Sequence, residues 1–148
     1  MSRCLKIKIG YKISNGQLGD GERVVLERTG KSSPEFLENH SACDDLVMFK
    51  VFESAQEQDE WVAAEIQKNI QQDELRRDDI IVINPNPLTT RKRVAPIRNL
   101  LYEKGISSHV SGVDTSPDIF FTNESVVFTG IYRAKGNEAA MVYVINAQ

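Results

Sequence analysis

Asp79-Ile80-Ile81-Val82-Ile83-Asn84 opens the stretch that decides the fold. Four aliphatic residues in a row, without polar alternation, predict a strand buried on both faces, as parallel sheets require. Asn84-Pro85-Asn86-Pro87 stops it, because proline donates no backbone bond and pushes its predecessor to extended geometry. Val94, Ile97, Leu100 and Leu101 then recur at helical spacing and predict a helix over 89–104. Lys104-Gly105 closes it in the manner of a C-cap, and Pro96 inside it predicts a kink or a late start. Ser107-Ser108-His109-Val110 follows as a short strand. Strand, helix, strand at this spacing is a βαβ unit.

The pattern extends both ways. Upstream, Leu46-Val47-Met48-Phe49-Lys50-Val51-Phe52 reads as another buried strand. Ser54-Ala55-Gln56-Glu57 carries a capping-box signature, and Trp61, Val62, Ile66 and Ile70 form one apolar stripe of a helix over 55–72. Downstream, Ser125–Gly130 and Ala140–Ile145 predict two more buried strands. The fold class is therefore α/β, with a mainly parallel sheet and flanking helices. Such sheets bind ligands at the carboxyl ends of their strands. That rule places the candidate site around 84–91, 111–118 and 130–138.

Residues 1–45 read as a β-rich N-terminal extension to a main region of 46–148. Leu5, Ile7 and Ile9 alternate with polar residues, and Arg23–Glu27 forms a second run. Asn15-Gly16 and Gly19-Asp20-Gly21 between them predict a hairpin with a loose loop. Ser33-Pro34 can open a brief helix ending near Asn39.

A chain of 148 residues with 41% hydrophobic and 26% charged residues can build a real core, which argues against disorder. Eighteen Lys and Arg against 21 Asp and Glu give a net charge of -3, which excludes a globally basic nucleic-acid coat but not a local patch. No run approaches a membrane span, and the N-terminus lacks the apolar core of a signal peptide, so the expected compartment is the cytoplasm. Cys4 and Cys43 are too few and too far apart for a disulfide framework or zinc site.

Two constellations invite chemistry. Gly30-Lys31-Ser32 has the end of a phosphate-binding loop, but the first glycine of that motif falls at Val25, and Ser33-Pro34 interrupts the helix it needs. It reads as a solvated turn. His40 and His109 have no partner at ligand spacing, and His109 fits a structural place in a strand. The stronger group is Ile131-Tyr132-Arg133-Ala134-Lys135-Gly136-Asn137-Glu138, between two predicted strands. It sets two cations, an aromatic ring and a carboxylate at one sheet edge, with a glycine that lets backbone approach a ligand. Arg91, Lys92, Arg93 and Arg98 add a basic cluster nearby, suited to phosphate or to a solvated helix face.

Residues 126–146 resemble the fifth motif of superfamily 1 helicases of the UvrD/Rep type. That motif is an apolar strand, Thr-x-His-x-x-Lys-Gly-Leu-Glu, and a second apolar strand. Strand 46–52 with helix 55–72, strand 79–83, the helix ending in Lys104-Gly105-Ile106, and Ser108-His109-Val110 resemble the same family, so the likeness spans about residues 46–148. The resemblance implies part of a second, RecA-like motor domain. In that family ATP with Mg²⁺ lies between this domain and the N-terminal RecA-like domain of the same protein, and single-stranded DNA crosses both. Carried over by position, Glu138 would hydrogen-bond the ribose, and Lys135 and Gly136 would shape the turn beside the nucleotide. Gly130, Tyr132 and Arg133 would follow the DNA, and Arg91 of the basic cluster, not matched to a motif position, is the candidate for a phosphate.

The chain departs from the family pattern at several places. Gly130 stands for its Thr, Tyr132 for its His and Asn137 for its Leu, and Asn84-Pro85-Asn86 replaces a frequent Tyr-Arg pair. A phosphate loop, an acidic Mg²⁺ motif and an arginine-finger motif are all missing from the sequence. The expectation is a helicase fragment that is not catalytic alone. The alternative is a stand-alone, non-catalytic interaction module with a degenerate RecA- or Rossmann-like fold.

Overall fold

A computed structural model describes residues 11–17, 21–28 and 46–147. The chain divides into two units, 1–50 and 51–148. Strand 5–9, the helix near 34–39, Gly30-Lys31-Ser32, His40 and both cysteines lie outside the described residues.

In the first unit, β1 (Tyr11–Asn15) pairs antiparallel with β2 (Val25–Arg28). A hairpin is present with its second strand close to the expected run, but its first strand is Tyr11–Asn15, C-terminal to the 5–9 run that the alternation selected. The register slips between Ile13 and Asn15, marking a bulge. Gly16 then turns the chain at φ +82°, where a Cβ would stand 2.4 Å from the Arg23 carbonyl oxygen. Only glycine satisfies both conditions.

The apolar run Leu46–Phe52 is not a buried strand. Residues 47–52 carry no secondary structure, and Phe49 and Val51 are 92% and 93% exposed. A run of apolar residues predicts burial only if a neighbour covers it. Phe52 is half-buried, its ring 5.5 Å from that of Trp61.

The second unit holds α1 (Ala55–Gln71), a 3-10 turn at Arg77–Asp79, β3 (Ile80–Asn84), α2 (Thr90–Glu103), β4 (Ser108–Val110), β5 (Val126–Gly130), α3 (Ile131–Ala134) and β6 (Met141–Val144). Ser54 caps α1 by accepting from the Glu57 N–H. The return contact of the expected capping box lands one residue early, because Glu57 accepts from the Glu53 N–H. α2 runs through Pro96 unbroken and begins at Thr90, so the late start does not occur. Pro96 is exposed, which leaves the carbonyl it orphans open to water.

The four strands form one all-parallel sheet in the order β4-β5-β3-β6. Ile81 pairs with Val127, and Asn84 with Gly130. Val62, Ala63 and Ile66 of α1 and Val94, Ile97 and Leu101 of α2 bury one sheet face, built from Ile80, Val82, Val110, Val126 and Phe128. The predicted stripe is correct, with Val62 and Ile66 fully in and Trp61 and Ile70 at its margin. β6 is a sheet edge, not a buried strand: Val142 and Val144 are exposed. Its Tyr143 reaches back to α1, where the hydroxyl donates to Oδ1 of buried Asn69. Burial, then the nearby Glu65 and Asp73 charges, holds that phenol above its usual pKa, so it stays a donor.

Phe128→Ala should cost about 3–5 kcal/mol by urea unfolding, since it empties the centre of the core. Phe49→Ala should change stability by no more than about 0.5 kcal/mol, because its ring already meets water. Equal losses at the two positions would refute this assignment of the core.

Candidate functional site

Because β3, β4 and β5 are parallel, their carboxyl ends emerge at one edge. Asn84, the last residue of β3, is buried there and ties three elements together. Its Nδ2 donates to the Asn86 carbonyl and lies 3.4 Å from the hydroxyls of Thr89 and Thr90. Its Oδ1 accepts from Asn146 Nδ2, and the Asn146 N–H donates to Gln58 of α1. This network turns the chain sharply from β3 into α2.

Beside it lies an open cleft of about 240 Å³, lined from three segments: Pro87 to Arg91, Val110 to Val113, and Gly130 to Arg133. These are the three regions that the strand-end rule selected. Apolar walls carry a few polar groups, a composition typical of ligand sites. Of the lining residues, Tyr132 is 81% exposed, and Arg91 on α2 is exposed too. A Cβ on Gly130 would stand 3.4 Å from Thr90 Oγ1 and 3.5 Å from Pro87 Cα, so the floor is narrow but not sealed.

The loop between β4 and β5 forms one rim, and it is pinned three times. Arg98 of α2 pairs with Asp114 at 2.9 Å and donates to Ser108, while Asp114 accepts from the Val110 N–H. His109 is buried, with Nδ1 2.9 Å from Ser125 Oγ and Nε2 3.0 Å from the Phe120 carbonyl oxygen. A carbonyl only accepts, so Nε2 carries a proton and both ring nitrogens are engaged. The third pin is Arg133. Its Nε donates to Ser111 Oγ at 2.9 Å, and its Nη2 to the carbonyls of Pro117 and Ile119.

The residues singled out from the sequence therefore separate into groups. Arg91, Gly130, Tyr132 and Arg133 line one cleft. Lys135, Gly136 and Glu138 lie outside its lining, on the crossing from α3 towards β6. Lys135 and Glu138 are exposed, and Gly136 turns at φ +85° with open space around it, so its conformation alone favours glycine. Asn137 closes the turn: its N–H donates to the Ala134 carbonyl and its Nδ2 to that of Arg133. The basic cluster divides, with Arg91, Lys92 and Arg93 exposed and Arg98 engaged by the rim loop. The strand-end rule placed Asn84, Ser111 and Gly112 inside the selected regions, but the sequence assigned none of them a role. A strand ending in Asn before Pro-Asn-Pro, and a glycine just beyond a short strand, were the available signals.

Among the described residues, no three His, Cys, Asp or Glu gather where they could hold a metal ion, and no helix is long and apolar enough to cross a membrane. Comparison with protein-family models, curated proteins and solved structures returns no match.

Asp59 neighbours this edge. Partial burial raises its carboxyl above the ordinary 3.8, against smaller lowering effects from Gln58 and Arg93. A raised carboxyl favours the folded state when protonated, and that contribution is lost as pH rises through the shifted value. Asp59→Asn should therefore melt above wild type near neutral pH, and the gap should close below 3.8. A gap that widens on acidification in thermal melts would refute the burial account.

Proposed function

We propose that this chain contributes the second RecA-like half of an ATP-dependent superfamily 1 DNA helicase, holding single-stranded DNA and one side of the ATP cleft. The observation that carries the reading is the cleft, where Arg91, Gly130, Tyr132 and Arg133 converge at the carboxyl edge of an all-parallel sheet. Tyr132 offers an exposed ring on which a base can stack. Arg91 offers a cation to a neighbouring phosphate, a contact that positions the strand without reading its sequence. The apolar walls formed by Pro87, Leu88 and Val113 suit a base or sugar between them.

The turn after α3 supports the nucleotide side. Glu138 presents an exposed carboxylate that can accept from ribose hydroxyls, and Lys135 an exposed ammonium. ATP with Mg²⁺ supplies the phosphoryl transfer that drives such motors. In this reading Glu138 and Lys135 take the sugar end of the nucleotide, and among the described residues no three His, Cys, Asp or Glu gather to hold the metal. The phosphate loop and metal ligands belong, in this reading, to the N-terminal RecA-like domain. The chain alone should not turn over ATP.

A second reading, a non-catalytic interaction module, is favoured by Asn137. Where the helicase pattern has an apolar leucine, this side chain closes the last turn of α3. Both readings use the same fold and differ in the cleft's ligand.

Fluorescence anisotropy with a labelled oligothymidine separates them. The chain should bind it, and binding should weaken with salt. Tyr132→Ala should raise Kd roughly tenfold with little change of salt slope, since one stacked base contributes about 1–3 kcal/mol. Arg91→Gln should lower the slope by about one. No binding by the folded wild-type chain at low salt would leave the interaction module as the reading.

A further inference from the structure

Arg133 was expected on DNA, but its guanidinium faces the protein. Nε and Nη2 reach Ser111, Pro117 and Ile119, all on the rim loop between β4 and β5. A second observation points the same way. Gly112 has φ +75°, and a Cβ there would stand 2.9 Å from Arg133 Cζ and 3.0 Å from Nε. The guanidinium thus lies against bare backbone at Gly112, in space that any other residue would fill. Arginine and glycine are matched across the gap: one needs a planar fork, the other needs no side chain.

We infer that Arg133 is a positioning residue, which sets the rim of the cleft through the Ser111–Ile119 loop instead of contacting the ligand. The inference rests on the proposed function for what enters the cleft, but not for the latch itself. Ser111 and Val113 line the cleft and belong to the gripped loop. The grip comes from α3, directly after the strand that carries the cleft floor at Gly130. Ser111 is also bonded through its N–H to the Phe128 carbonyl of β5, and its hydroxyl reaches the Ile119 carbonyl. One end of the loop is thereby fixed to the sheet and the other to the guanidinium. Lysine has the same charge but cannot present two donors in one plane, so it cannot reproduce the grip.

The test uses the full chain, oligothymidine binding over a salt series, and amide hydrogen exchange. Arg133→Lys and Arg133→Gln should both raise Kd roughly tenfold, with the salt slope unchanged, as expected when hydrogen bonds that hold a wall are lost and no phosphate contact is. Amides of Gly112, Asp114 and Ile119 should exchange faster, while those of β3 and β5 keep wild-type protection. Gly112→Ala should give the same pattern, and the double variant Gly112→Ala with Arg133→Lys should be no worse than either single change, because both break one contact. Ser111→Ala, a milder change, should give a smaller shift in the same direction.

Restoration of affinity by lysine, or a slope lower by about one, would make Arg133 a direct phosphate contact and overturn the inference. Faster loop exchange with unchanged Kd would reduce it to a purely structural brace, which also overturns it. If the wild-type chain binds no oligothymidine, the proposed function falls by itself. The exchange data and the double variant then decide the latch, and unchanged exchange in Arg133→Gln refutes it.

Discussion

The parallel pairing of β3 with β5 is the constraint on which the rest of the molecule depends. Ile81 faces Val127 and Asn84 faces Gly130, so both strands end at the same level. A shift of one residue would turn Val82 and Phe128 out of the core and move Asn84 away from Thr90. With the register fixed, two chain exits lie side by side, one turning into α2 and the other into α3. The cleft is the space those exits leave. Its polar and aromatic groups are brought together by backbone geometry.

The parallel core was legible because its strands are unbroken aliphatic runs and its helices carry clean apolar stripes. Ile80–Ile83, Val126–Phe128 and the Val62–Ile66 face state their burial in residue types alone. The site's position followed from topology, since a parallel sheet collects its carboxyl ends at one edge. Two kinds of information were not legible. Leu46–Phe52 has the composition of a core strand, and composition does not say whether a neighbour covers it. β6 has the same character, yet Val142 and Val144 are exposed because β6 is the last strand in the order. The assignment of Arg133 to a ligand also needed coordinates. An arginine beside a cleft has the same sequence signature whether its donors face outward or hold a loop, and only the carbonyls of Pro117 and Ile119 distinguish these cases.

His109 and Asn84 illustrate how this fold uses buried polarity. Each is nearly sealed, and each has its polar atoms engaged, His109 by Ser125 and Phe120 and Asn84 by Asn86 nearby and by Asn146 far along the chain. Among the described residues no buried side-chain nitrogen or oxygen lacks a partner. An unmatched polar group inside would cost about 1–3 kcal/mol, so such residues fix one arrangement and penalise the alternatives. The long connection between β4 and β5 contains little regular structure. Its order comes from His109, Arg98 and Arg133, three side chains reaching it from three elements.

The run from Leu46 to Phe52, exposed at every apolar position before Phe52, has a consequence for the protein in concentrated solution. Seven residues of mostly β-branched, aromatic and long aliphatic type, with Lys50 the one charge and no proline, have the make-up of segments that stack into intermolecular cross-β ribbons. Asp44, Asp45 and Glu53 flank the run as acidic gatekeepers whose mutual repulsion opposes stacking of identical chains. High ionic strength screens that repulsion, so added salt lowers the barrier to self-association of identical chains through this stretch.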